Sequence, residues 1–319
     1  MKSKWIIKSA AALCMGIGVG YSVISGIFYD KLTRVEPGYR MDSKNTPTRW
    51  APSDPQYAHI DSHRYFMPNF TQVSFPGYAQ KPNFKLSGWY IPHPKSPSTA
   101  IIVVHGLRTS KASVTALIPA GMLYKNGFSV LVIDLRNHGH SDSDKGRTSI
   151  GKQEATDIIA AQEWLTQKGY THIGVYGLSL GATSSLFAFA KDQKLDAAFL
   201  DSGFSDIHSI IVSEVDLAKA PRWVIPGGLF IAKCLGLDIL KIDPLGAATS
   251  IQNRPLLIAH NQKDNRIPIQ HATKLRQALK NNPNAEFWFY ITSEHANAMM
   301  VIPNEYEQKL TTFFRQNLN

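Results

Sequence analysis

Three side chains in this sequence could together make an alcohol reactive: Ser179, His295 and Asp264. Ser179 is the centre of Gly177-Leu178-Ser179-Leu180-Gly181, which follows the apolar run 171–176 and precedes a helix-like stretch, 182–191. A strand, a sharp turn and a helix in that order would hold a serine in strained backbone geometry with its hydroxyl above the sheet edge. The two glycines are expected where a Cβ would strike the neighbouring strand and helix. A serine hydroxyl is a weak nucleophile at neutral pH, so it needs a base within hydrogen-bond reach and a third group that orients the base. His295 is the expected base. It follows the strand-like run 287–291 in the turn Thr292-Ser293-Glu294-His295, and so leaves the sheet at the edge where Ser179 sits. Asp264 is the expected acid, in the loop 261–268 after the apolar run 255–260; Asp201, at the end of an earlier run, is its rival.

The same chemistry needs donors for a developing oxyanion. The backbone N–H of Leu180, just after the nucleophile, is one expected donor. The N–H of Leu107 is the other, in the turn His105-Gly106-Leu107 after the apolar run 100–104. His105 is expected to bond loop backbone, and structural roles are expected for His59, His63, His172 and His271.

The elements that must position these groups can be read from periodicity. Residues 71–75 and 84–90 alternate as an antiparallel strand pair. From residue 99 the pattern turns to strand, helix, strand, helix. Strands are expected at 100–104, 128–133, 171–176, 195–200, 255–259 and 286–291, and helices at 114–125, 153–168, 182–191 and 304–316. That alternation implies an α/β protein with a mostly parallel, doubly wound sheet, which works at the C-terminal ends of its strands. About fifty residues between Asp201 and Pro255 break the rhythm and carry Trp223, Val224, Ile225, Leu229, Phe230, Ile231 and Leu235. They are expected to form a helical cap over the site, at about 204–250.

The net charge is +10, and residues 1–49 supply half of it, with eight basic residues against three acidic ones. The basic charge brackets residues 9–29, which hold no charged side chain. As a helix that run is about 30 Å long, one bilayer core. With Lys2, Lys4 and Lys8 before it, residues 1–29 are expected to be a single-pass anchor, the rival being a cleaved signal peptide. Anionic lipid is the expected neighbour of the charge, and the catalytic domain is expected on the exported side. No interleaved basic and aromatic stripe calls for nucleic acid. Residues 30–70 show no period and are expected to be a linker or N-terminal extension. Cys14 and Cys234 are too differently placed for an expected disulfide.

Across residues 71–319 the sequence resembles the α/β-hydrolase superfamily, through His105-Gly106, the segment Asp134-Leu135-Arg136-Asn137-His138-Gly139-His140-Ser141, Gly177 to Gly181, the Asp264 loop and His295. Within it, the loop from His105 to Lys111 and the N-terminal run are similar to a membrane-anchored, serine-aminopeptidase-like branch of Bem46 type. The resemblance implies an α/β-hydrolase fold, a structural loop at 134–141, and a serine hydrolase with no metal and no cofactor. The expected substrate is a small or lipid-like acyl ester or thioester. The alternatives are an amidase or peptidase on the same three residues, or a membrane-tethered binding protein on this scaffold. The sequence leaves the oligomeric state open.

Overall fold

The structure, a computed structural model, describes residues 2–35, 44–52, 54–77 and 83–318, with side chains from residue 15 onward. Parts of the expected extension (36–43 and 53) and the first side chains of the expected span (9–14, Cys14 included) lie outside the described residues. The chain forms two compact units, residues 1–34 with 207–242, and residues 35–206 with 243–319.

The larger unit is built on one eight-stranded sheet: β1 (Thr71–Pro76), β2 (Lys85–Ile91), β3 (Thr99–Val104), β4 (Ser129–Asp134), β5 (His172–Leu178), β6 (Ala197–Asp201), β7 (Leu256–Asn261) and β8 (Ala285–Tyr290). The spatial order is β1-β2-β4-β3-β5-β6-β7-β8; β2 runs antiparallel to both its neighbours and every other pair is parallel. β4 is buried along its whole length, as a strand covered on both faces must be, which explains its unbroken apolar run. Two apolar clusters fill the two faces. One holds Leu117, Met122, Phe199, Phe313 and Phe314; the other holds Ile102, Ile158, Val175, Leu186 and Leu275.

The helices that supply these clusters fall close to the positions expected from sequence: α2 (Val114–Lys125), α3 (Glu154–Gln167), α4 (Leu180–Lys191) and, at the C-terminus, α10 (Pro303–Asn317). Of three shorter ones, α8 (Gln270–Ala278) covers His271, where the sequence already suggests a helix, while α7 (Pro244–Ser250) and α9 (Ala298–Val301) escape the periodicity, because seven and four residues give too few turns.

Of the two expected forms, a linker or a wrapped N-terminal extension, residues 44–70 take the second. They make 3-10 turns at Pro55–Tyr57 and Ser62–Tyr65, and Trp50, Tyr57, Tyr65 and Met67 are buried in the cluster around α2. The reason is packing. Gly121 of α2 leaves no room for a Cβ, since one would lie 2.7 Å from Cβ of Tyr65, so the extension lies directly on the helix backbone. Four aromatic or sulfur side chains bury enough apolar surface to order a segment without any period.

In the smaller unit α1 (Lys2–Thr33) packs on α6 (Val224–Cys234), and α5 (Ile207–Leu217) joins them. The helix continues past the expected limit at residue 29. Among the residues whose side chains are described, from residue 15 onward, no helix is long and apolar enough to cross a membrane. The insertion is helical, but its separately packed part is 207–242, narrower than the expected 204–250. Residues 243–250 return to the larger unit, where Asp243 caps α7 through the Gly246 amide (2.8 Å) and Ala248 joins the apolar cluster.

Candidate active site

The strand order brings the expected residues to one edge. The chain runs from β3 outward to β4 and then back across β3 to β5, so the sheet reverses direction between β3 and β5. Val104 and Gly177 face each other in register at the ends of those strands. The loop after β3 and the turn after β5 therefore leave the sheet side by side, the place where open α/β sheets bind ligands. Gly181 lets them touch: a Cβ there would lie 2.5 Å from the His105 carbonyl and 2.6 Å from that of Val104. A Cβ on Gly106 would in turn meet Cβ of Ser179 at 3.5 Å.

Ser179 caps α4 with φ 55° and ψ −117°, a region that costs a non-glycine residue about 1–3 kcal/mol. An N-cap serine ordinarily spends its oxygen on an amide two or three residues on. Ser179 makes no such bond. Its Oγ lies 3.0 Å from Nε2 of His295, and Nδ1 of His295 lies 2.6 Å from Oδ2 of Asp264. With Nδ1 carrying the proton toward Asp264, Nε2 is the acceptor for the serine hydroxyl.

Asp264 is fully enclosed, whereas the His295 side chain keeps 14% of its surface exposed. Oδ1 of Asp264 accepts the amides of Arg266 (3.0 Å) and Ile267 (2.8 Å). Burial alone would raise the pKa of this carboxyl; the hydrogen bond and charge of His295 and the Ile267 amide outweigh it and hold the group below its ordinary value. His260 donates from Nε2 to the Ile267 carbonyl (2.7 Å), and burial lowers its pKa, so it braces the acid loop as a neutral ring.

Asp201, the rival acid, is held elsewhere. Oδ1 accepts the hydroxyls of Tyr290 (2.7 Å) and Ser202 (2.9 Å), and Oδ2 accepts that of Tyr306 (2.7 Å). Its backbone carbonyl receives the Ser179 amide at 2.8 Å. Asp264 is thus the carboxylate that touches the imidazole.

The loop expected to hold an oxyanion is fixed by two neutral histidines. His105 donates from Nδ1 to the Gly106 carbonyl (2.7 Å) and accepts the Leu135 amide at Nε2 (3.2 Å); burial pushes its pKa down to about 3. His138 accepts the Arg108 amide at Nε2 (3.2 Å). Leu107 sits between these anchors. Leu180 opens α4, where an N–H has no acceptor within the helix. His271, in α8, bonds Ser205, in keeping with the expected structural role.

Several supporting residues carried no signal in the sequence. Asn261 pairs with Tyr290 in register, at the ends of β7 and β8. Its Oδ1 accepts the amides of Lys263 and Thr292 (both 3.0 Å), and its Nδ2 donates to the carbonyls of Thr292 (3.1 Å) and Glu294 (2.9 Å). One side chain therefore ties the Asp264 loop to the His295 loop. From the extension, the Tyr57 hydroxyl donates to Glu294 (2.9 Å) and accepts from Asn297 (3.1 Å). Buried Lys111 pairs with Asp134, whose Oδ1 also accepts the Lys111 amide (2.8 Å), closing the 105–111 loop onto β4. Only the asparagine's place at a strand end, beside the acid loop, could have drawn attention to it. Among the described residues no group of His, Cys, Asp and Glu is arranged to hold a metal ion.

A reversing, mostly parallel sheet with a serine on a strained turn after β5 defines an α/β hydrolase. Residues 119–319 match the Prolyl oligopeptidase family, and the chain belongs to that family. Among characterised sequences it is similar to human Protein ABHD12B, 27% identical over 202 residues (60% of this chain, 53% of that protein). It is also similar to the human acylamino-acid-releasing enzyme, 24% identical over 243 residues (71% of this chain, 32% of that protein). The chain thus spans about half or less of these relatives. In fold it is similar to the Pyrococcus furiosus esterase Pf2001, with a TM-score of 0.65 and 24% identity over 79% of this chain and 93% of that one. It is also similar to the Pyrococcus horikoshii acylaminoacyl peptidase, with a TM-score of 0.58 and 18% identity over 78% and 42%.

Proposed function

We propose that this hydrolase cleaves carboxylic ester or thioester bonds through an acyl-enzyme. The observation that carries the reading is the hydrogen-bond chain from Ser179 Oγ through His295 to Asp264, at 3.0 and 2.6 Å. His295 Nε2 takes the hydroxyl proton as Oγ attacks the acyl carbon, and Asp264 stabilises the resulting imidazolium. The amides of Leu107 and Leu180 receive the oxyanion. His295 then protonates the leaving oxygen or sulfur, and later takes a proton from the water that attacks the acyl-serine. No cofactor takes part.

Residues 9–29 serve as a single-pass anchor, with the short basic leader in the cytoplasm and the catalytic unit exported. The support is the uncharged run behind Lys2, Lys4 and Lys8. An anchored enzyme meets lipid-like acyl groups first, which favours esters of apolar acids as substrates.

A second reading, cleavage of acyl-amino-acid or peptide bonds on the same residues, is favoured by the match to a peptidase family and by the likeness to the acylamino-acid-releasing enzyme. A fluorophosphonate probe tests the shared mechanism: the protein is expected to label and Ser179→Ala is expected not to. Labelling that persists in Ser179→Ala removes Ser179 from its role. Parallel turnover of nitrophenyl esters, acyl thioesters and N-acyl-aminoacyl nitroanilides then separates the readings. Hydrolysis of the anilides alone would replace the ester assignment.

A further inference from the structure

α6 is fastened to the C-terminal half of the uncharged run in α1 at close range. A Cβ on Gly227 would lie 2.7 Å from Cβ of Ser25 and 2.9 Å from the Tyr21 hydroxyl, and one on Gly228 would lie 2.9 Å from Cε1 of Phe28. Ser25 is buried, and the Tyr21 hydroxyl donates to the Trp223 carbonyl at 3.2 Å. Paired small residues that bring two helix backbones this close are a packing mode suited to lipid, where hydrophobic burial between helices gains nothing.

The outward side of α6 is apolar. Trp223, Pro226, Phe230 and Cys234 recur at helical spacing, all exposed, Phe230 to 69%. Val19, Val23 and Ile27 form an exposed stripe on α1, each more than half open. Among the described residues, twelve of the fourteen exposed large hydrophobic side chains belong to this smaller unit. Its charge is also one-sided, with nine Lys and Arg against four Asp and Glu.

We propose that α6 is itself seated in the bilayer interface, with its stripe from Trp223 to Phe230 among the headgroups and first acyl carbons of an anionic phospholipid leaflet. This rests on residues 9–29 being the anchor. If residues 21–28 lie in lipid, the helix packed directly on them enters the same layer. An aqueous α6 would leave Trp223 and Phe230 in water beside a membrane able to take them. Tryptophan at headgroup depth and lysines at the rim, here Lys219 and Lys233, suit a helix lying in an anionic surface.

The test uses the full chain with Cys14→Ser and Cys234→Ser, carrying one environment-sensitive fluorophore at Ile17→Cys, Phe230→Cys or, as the aqueous control on the larger unit, Lys280→Cys. Each protein is reconstituted into phosphatidylcholine–phosphatidylglycerol vesicles with and without doxyl-labelled acyl chains. Residue 230 is expected to lose emission to the doxyl lipid to an extent comparable with residue 17, while residue 280 does not. Quenching at 17 with residue 230 open to aqueous iodide overturns the proposal and leaves the anchor standing. Absence of lipid quenching at both positions removes anchor and proposal together. A residue 230 shielded from iodide yet untouched by doxyl lipid is covered by protein, a second copy for instance, and also overturns the proposal.

Discussion

At the scale of single residues, the site depends on how each polar atom is spent. The Ser179 hydroxyl is withheld from capping and given to His295, and Asp264 divides its two oxygens between the imidazole and two loop amides. Asp264→Asn keeps the shape but offers an amide where the imidazole N–H needs an acceptor. It is expected to lower kcat by about a thousandfold or more with the fold unchanged, as read by esterase turnover and circular dichroism. Asn261 is a positioning residue, because its hydrogen bonds go to the loops that carry His295 and Asp264 and not to the side chains of Ser179 or His295. Asn261→Ala is expected to lower kcat on the order of tenfold to a hundredfold, with KM within about twofold, since a small misplacement of reacting groups is costly while substrate contacts persist. A rise in KM with kcat little changed would place Asn261 in substrate binding instead.

At the scale of elements, the reversal between β3 and β5 matters most, because it sets the loop after one strand against Ser179 after the other. That loop is held down by a buried ion pair rather than by apolar packing. Lys111 and Asp134 are both fully enclosed, and Lys111 also donates to Ser87 at 3.1 Å. Removing one member of a buried pair leaves the other charged and dry, which is far costlier than losing an exposed bridge. Lys111→Met is expected to destabilise the larger unit by about 3–5 kcal/mol, seen as a lowered urea midpoint. The β-strands and long helices were legible because apolar spacing reports which face is buried. Tyr57, Tyr65 and Met67 were not, since the extension has no period and gains its order from α2 and the core, far off in sequence.

At the scale of the whole molecule, burial of neutral imidazoles makes stability depend on pH. His105 titrates at about 3 when folded and near its ordinary 6.5 when unfolded. Between those values the unfolded chain holds the extra proton, so stability falls as pH falls. The contribution from this one ring is about 2 kcal/mol lost between pH 7 and pH 5. His105→Gln is expected to be less stable at pH 7 but to lose less on acidification, a comparison that urea titrations at the two pH values make directly.

The sequence alone determined the class of fold and the strands after which Ser179, Asp264 and His295 fall. These follow from local signals: glycines that a sharp turn requires, apolar periodicity, and the edge at which each loop leaves the sheet. Tertiary structure decided what depends on distance between remote residues. It separated Asp264 from Asp201, because one follows β7 and the other ends β6, and only packing shows which carboxylate meets the imidazole. It drew Asn261, Tyr57 and Lys111 into support of the site through bonds across 23 to 240 positions of chain. It also joined α1 to the insertion after β6, two segments whose small residues meet only when the chain is folded.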